Sequence, residues 1–214
     1  MTHGAMTVNE LWHSRDERVW AEALDRYWGL IKPADLSLVR ELEPLNVNAV
    51  RQLAPREWYD FLHEKYFRWK YTAPNRLATT RKALRTYVET ETLDDLYRIK
   101  QELFDFDIQD IAAGLRIASS IRGLGIAGAS GLLALLYPTG FATVDQFVVK
   151  ALRDVEGLTE HQLLERMNPE GLKPSDGAVL IRIMRAKAVE LNRLFGTDVW
   201  MPKKIDEILW TYGR

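Results

Sequence analysis

Apolar residues recur at three- and four-residue steps along nearly the whole chain, and prolines cut that pattern into pieces of helix length. "VNELWHSRDERVWAEALDRYWGLI" sets Leu11, Trp12, Val19, Trp20, Leu24, Tyr27 and Trp28 on such steps, and Pro33 ends it. "PADLSLVRELEPL" gives a short helix with Asp35 or Ser37 near its start. "APREWYDFLHEKYFRWKY" has Pro55 at a favoured first-turn position, and "TAPNR" interrupts it at Pro74 before "LATTRKALRTYVE" resumes. "TLDDLYRIKQELF" predicts Thr92 as a cap ahead of Asp94 and Asp95, and "LTEHQLLERM" predicts Thr159 as another. A long helix follows in "KPSDGAVLIRIMRAKAVELNRLFG", with Ser175 or Asp176 near its start and Gly196 past its end. "MPKKIDEILWTYGR" closes the chain after Pro202. No alternating strand of useful length and no repeat is present, since "FATVDQFVV" and "TDVW" are short and flank helix signals. The expected class is all-α, about ten helices packed compactly.

Composition narrows the chemistry. With 214 residues the chain is long enough to bury a good core. Hydrophobic residues at 47% and charged residues at 28% fit a soluble protein. The net charge of −1 means that any polyanion site must come from local patterning. The chain has no cysteine, which excludes disulfides, thiolate nucleophiles and cysteine-ligated zinc or iron–sulfur clusters. That fits a reducing cytoplasm, and a cytoplasmic location is expected. His3, His13, His63 and His161 are scattered without ligand spacing, which argues against a histidine metal site. "MTHGAMTVNE" lacks an apolar signal core, and the run Leu124 to Tyr137 is too short to span a bilayer. That run is expected to be a buried helix, with no membrane partner.

The stretch "IRGLGIAGASGLLALLYPTGFATVDQFVVKAL", Ile121 to Leu152, carries the functional signal. A helix ending near Ile121 meets another starting near Ile126, through the turn Gly123–Leu124–Gly125. Glycine permits positive φ and leaves backbone N–H groups uncovered. Those groups and the next helix's N-terminus suit one phosphate. Leu124 is expected to point inward, and the small residues from Ala127 to Gly131 allow close approach. Asp145 stands alone among apolar neighbours near a helix start, where aspartate is a common N-cap and where the helix dipole favours the anion. A bare capped αα-turn is the competing account of the same residues.

This stretch resembles the helix-hairpin-helix DNA glycosylase superfamily, which includes endonuclease III and the adenine-specific mismatch glycosylases. In that family a Leu-Pro-Gly-Val-Gly turn opens a helix, and an aspartate comes at the start of the next one. Here Ile121, Arg122, Gly123, Leu124 and Gly125 occupy the turn, Ala129 falls on the family's usual alanine, and Asp145 falls on its catalytic aspartate without a gap. Arg122 stands where proline is usual. Bifunctional members carry a Schiff-base lysine in the hairpin. Its equivalent is Ala127, eighteen residues before Asp145, so the resemblance implies a monofunctional enzyme. It further implies two helical lobes, set at about residues 1–55 plus 155–214 and 56–154, with the hairpin at 112–137. The implied partner is duplex DNA with a flipped base. The implied cofactor is none, with no iron–sulfur cluster and room for a monovalent cation at the hairpin.

Excision of a base needs that base outside the stack. Its departure builds positive charge on the sugar, which one carboxylate can stabilise while activating a water. Asp145 is the candidate. Ahead of the hairpin, Lys65 to Val88 holds seven basic residues and no acid, with aromatics interleaved. Basic groups hold phosphates, and aromatics stack on bases or wedge into a step. In the family, a helix–loop–helix about fifty residues before the hairpin supplies the minor-groove wedge. "YTAPNR" lies at that distance, so Tyr71, Asn75 and Arg76 are the wedge and strand-reading candidates, with Arg81 and Lys82 on the basic helix. Phe67, Trp69 and Tyr87 are individually better read as core. Trp12, Trp20 and Trp28, eight apart, are expected to share a core face, and the C-terminal helix to dock onto the first lobe. Two other readings stay open: a non-catalytic nucleic-acid-binding module on the same scaffold, and a helical protein-interaction domain.

Overall fold

A computed structural model describes residues 6–214, so His3 lies outside the described residues. Among the described residues the chain is all-α, with fourteen α-helical segments and no strand. No helix among them is long and apolar enough to cross a membrane. The chain forms two compact units, Met1–Ile31 with Pro138–Arg214, and Lys32–Tyr137.

The first unit begins with α1 (Val8–Trp12) and α2 (Glu17–Leu30). The periodicity there predicts one helix, and the chain instead breaks between them. Asp16 caps α2 by accepting from the Arg18 N–H, and the Trp20 indole N–H donates to the Ser14 carbonyl at 3.2 Å. A side-chain cap and a buried indole anchor thus outweigh helix propensity over four residues.

The second unit holds α3 (Pro33–Leu42), α4 (Val47–Gln52), α5 (Pro55–Asp60), a π-helical turn (Phe61–Tyr66), α6 (Phe67–Lys70), α7 (Pro74–Glu89), α8 (Leu93–Asp105), α9 (Ile111–Ser119) and α10 (Ile126–Leu136). Proline opens α3, α5 and α7, where its missing N–H costs nothing. Thr92 occupies the N-cap of α8 but makes no capping bond through its side chain. The run α10 is buried from Gly128 to Leu136 and packs on α9, as its apolar composition predicts. Trp58, Leu62, Tyr66, Phe67, Leu84, Leu96 and Leu103 complete that core.

The chain then returns to the first unit through α11 (Gln146–Arg153), α12 (His161–Arg166), α13 (Pro174–Phe195) and α14 (Pro202–Gly213). Glu160, not Thr159, sits at the N-cap of α12; the Thr159 hydroxyl bonds the Glu160 carboxylate instead. Gly196 closes α13 in the left-handed conformation. The helix α14 packs along α11 and against α2 and α13. Trp20 lies between Trp12 and Trp200, with ring centroids 6.3 and 5.9 Å away. Lys187 sits over the Trp12 ring and donates to the Trp12 carbonyl at 3.0 Å. Trp28 is only half-buried, edge-on to Tyr27, so it lies outside this tryptophan cluster.

The units divide at 31/32 and 137/138, whereas the sequence suggests lobes meeting near 55/56 and 154/155. Buried Lys100 explains the first shift: its ammonium donates to the carbonyls of Arg51 and Leu53, both at 2.6 Å, which binds the end of α4 to α8. Burial also lowers the Lys100 pKa. The second shift follows from α11 packing on α14, which brings Asp145 into the first unit.

Candidate nucleic-acid interface and carboxylate

Within the second unit, the hairpin turn rests on α7. Gly123 has φ +94°, the left-handed region that favours glycine. A Cβ at Gly123 would stand 2.6 Å from the Thr80 carbonyl oxygen, so the absence of a side chain also permits the close approach to α7. Leu124 is buried, and its N–H donates to the Ile121 carbonyl at 3.0 Å. Gly125 is the N-cap of α10, and no side chain caps that helix. A Cβ at Gly125 would meet nothing within 4 Å. The amides of the first turn, including that of Ala127, therefore begin a helix that has no side-chain cap.

Arg122 is accommodated by α7. Its guanidinium lies 4.2 Å from the Tyr87 ring centroid and donates to the Thr86 hydroxyl at 3.0 Å. The Tyr87 hydroxyl accepts from the Arg122 N–H at 3.2 Å and donates to the Ser120 carbonyl at 3.4 Å. One phenol thus clamps the backbone entering the turn.

Two more tyrosines hold the hairpin. The π turn advances the helical phase by its extra residue per turn, and Tyr66, Phe67 and Tyr71, at and beyond its end, face the hairpin. The Tyr66 hydroxyl donates to the Gly128 carbonyl, and the Tyr71 hydroxyl donates to the Gly123 carbonyl at 3.3 Å. Tyr71 is buried, so it is a support beneath the hairpin and not an exposed wedge. Periodicity gives no warning of this, because the contact joins residues 52 positions apart. Tyr66 and Tyr87 share that supporting role, and separations of 62 and 33 residues from their carbonyl partners hide them likewise.

Burial pushes the Tyr71 phenol up to about 12 and raises Tyr66 as well. The neutral phenol is then the folded form, while the unfolded chain ionises near 10. The stability linked to Tyr71 is intact below about pH 10 and is lost as pH rises through about 12. Tyr71→Phe is expected to cost about 1 kcal/mol at neutral pH. It should also flatten the alkaline fall in melting temperature between about pH 10 and 12. An unchanged alkaline slope in thermal melts would remove Tyr71 from that transition.

The basic stretch divides by geometry. Arg81 donates to the His63 carbonyl through Nε at 2.9 Å and pairs with Glu64 at 3.2 Å. Lys65 pairs with Glu41 at 2.5 Å. Arg81 is thereby engaged within the unit instead of offering its charge outward. Asn75 and Arg76 are exposed in the first turn of α7, after Pro74, and Lys82 and Arg85 are exposed further along it. Phe67 and Tyr87 are core, as expected, and Trp69 is half-buried.

In the first unit, Asp145 is the N-cap of α11. One carboxylate oxygen accepts from the Phe147 N–H at 2.9 Å and the Val148 N–H at 3.3 Å. Asp145 is half-buried, following the buried segment Phe141 to Val144. No family model, curated protein or solved structure matches the chain.

Proposed function

We propose that this chain binds DNA through the Gly123–Gly125 hairpin and α7, and acts as a monofunctional DNA N-glycosylase that releases a damaged or modified base with Asp145 and water. The observation that carries the reading is the glycine turn itself. Positive-φ Gly123 lies against α7 and leads into α10, whose N-terminus carries no side-chain cap. Such a terminus favours a phosphate through its amides and dipole. Exposed Arg76, Lys82 and Arg85 on α7 supply cationic groups in the same unit. Asp145 supplies the carboxylate that a departing base requires. Ala127, where bifunctional members carry lysine, supports hydrolysis without strand cleavage.

The test is a panel of duplexes bearing single modified bases, incubated with the protein and then treated with alkali. Release of a base appears as a strand break that depends on the alkali step. Breaks without alkali, or borohydride trapping of an adduct, would contradict the monofunctional assignment. Salt-sensitive binding with no break anywhere in the panel would favour a binding module on the same scaffold.

The charge contribution has its own check. Arg76→Glu with Lys82→Glu should weaken duplex affinity at least tenfold and lower the salt slope by about 2. Arg81 is the wrong residue for this test, since its reversal would also break the tie to His63. Unchanged affinity in the double variant, measured by titration at two salt concentrations, removes α7 from the interface.

A further inference from the structure

The first unit contains a buried acid that neither capping nor the excision chemistry calls for. Asp206 on α14 is 6% exposed, and its carboxylate accepts from the Thr143 N–H at 2.6 Å. Removing a carboxylate from water is costly unless strong bonds replace the lost hydration. A charge-assisted bond to a backbone amide is one such bond. Thr143 precedes Asp145 by two residues, in a segment with no ladder or helix of its own. Its backbone must therefore be fixed by outside partners.

Those partners are arranged along the segment. Arg185 of α13 donates through Nε to the Gly140 carbonyl and lies 5.1 Å from the Phe141 ring centroid. Asp206 holds Thr143. Beyond Asp145, the Trp210 ring meets the Phe147 ring edge-on at 6.2 Å. Gly213 lies so close to Phe147 that a Cβ there would come within 1.9 Å of the Phe147 carbonyl oxygen. One helix, α14, thus touches the backbone on both sides of Asp145.

We infer that Asp206 is a positioning residue for Asp145, with α14 the element that sets where this carboxylate stands. The inference rests on the glycosylase reading. The bonds from Phe147 and Val148 orient the Asp145 side chain relative to α11. They do not reach the backbone ahead of Asp145, which Asp206 holds at the Thr143 amide. Small errors in the position of a reacting group cost large factors in rate, so the effect should fall on chemistry and spare DNA affinity.

The experiment compares wild type, Asp206→Ala and Asp206→Asn on a duplex whose base the wild type releases. It measures single-turnover release, duplex Kd and hydrogen exchange at the Thr143 amide. Asp206→Ala should slow release at least tenfold, keep Kd within about twofold and speed exchange at Thr143. Asp206→Asn retains an acceptor and should restore most of the rate. Release at the wild-type rate in Asp206→Ala, or loss of rate and affinity in equal measure, overturns the inference. Should Asp206→Ala fail to fold, Gly213→Ala tests the other end of the same support and is expected to show the same split. A wild type that releases no base across the panel sinks the glycosylase reading and this role with it. An active wild type beside an unaffected Asp206→Ala rejects the positioning role alone.

Discussion

Gly123→Ala is expected to destabilise the second unit by about 2–4 kcal/mol, read as a shift in denaturation midpoint at constant slope. Two effects add. The residue sits at φ +94°, where a side chain is strained whatever the surroundings. The new methyl would also stand 2.6 Å from the Thr80 carbonyl oxygen and 3.2 Å from the Phe67 ring. The carbonyl is part of the α7 backbone and has little freedom to retreat. The turn must lift off α7, which loosens the bonds from Tyr71 and Tyr87 together. Gly125→Ala is the matched control. Gly125 has φ −88°, and a Cβ there meets nothing within 4 Å, so its stability cost should stay below about 1 kcal/mol. The methyl would nevertheless stand beside the open amides of α10. If a phosphate docks there, Gly125→Ala should weaken duplex binding about tenfold while the protein melts almost as before. Equal affinity in Gly125→Ala and wild type would move the phosphate elsewhere. A Gly123→Ala variant as stable as wild type would contradict the packing of the turn on α7.

The contrast between the two glycines also marks what the sequence could disclose. Local signals carried well: prolines start α3, α5, α7, α13 and α14, and Gly196 ends α13. These residues act on their own backbone, so their effect needs no knowledge of the rest of the chain. The buried run of α10 and the capping role of Asp145 were legible for the same reason. Partners distant in sequence were not. Tyr71 looks like a wedge beside Pro74 and Asn75, yet Gly123 takes its hydroxyl inside. Arg81 looks like a phosphate ligand until the His63 carbonyl and Glu64 claim it. Lys100 and Asp206 are charged residues on amphipathic helices, a pattern that normally signals solvent. Each is buried because backbone groups from another segment meet it, and no helical period records that. The break between α1 and α2 belongs to the same class, since it depends on where the Trp20 indole finds an acceptor.

On the proposed reading, Asp145→Asn should slow base release by orders of magnitude while leaving fold and duplex affinity nearly intact. Asparagine is as good an N-cap as aspartate, so its side-chain oxygen can still accept from the Phe147 and Val148 amides. The stability change should stay within about 0.5 kcal/mol. What disappears is the negative charge. A sugar losing its base develops positive charge, and a neutral amide neither stabilises that charge nor takes a proton from water. Single-turnover release should fall by about 10²–10⁴-fold, the range for a positioned acid–base or electrostatic group. Asp145→Ala separates the two roles from the other direction. It removes cap and charge together, adding about 1 kcal/mol of destabilisation to the same loss of release. If Asp145 were a cap alone, Asn would preserve release and Ala would reduce it only in proportion to lost folding. The ratio of the two variants, with melting curves measured beside rates, therefore assigns the carboxylate. Equal release by wild type and Asp145→Asn would leave Asp145 as a structural cap and assign the excision chemistry to another group.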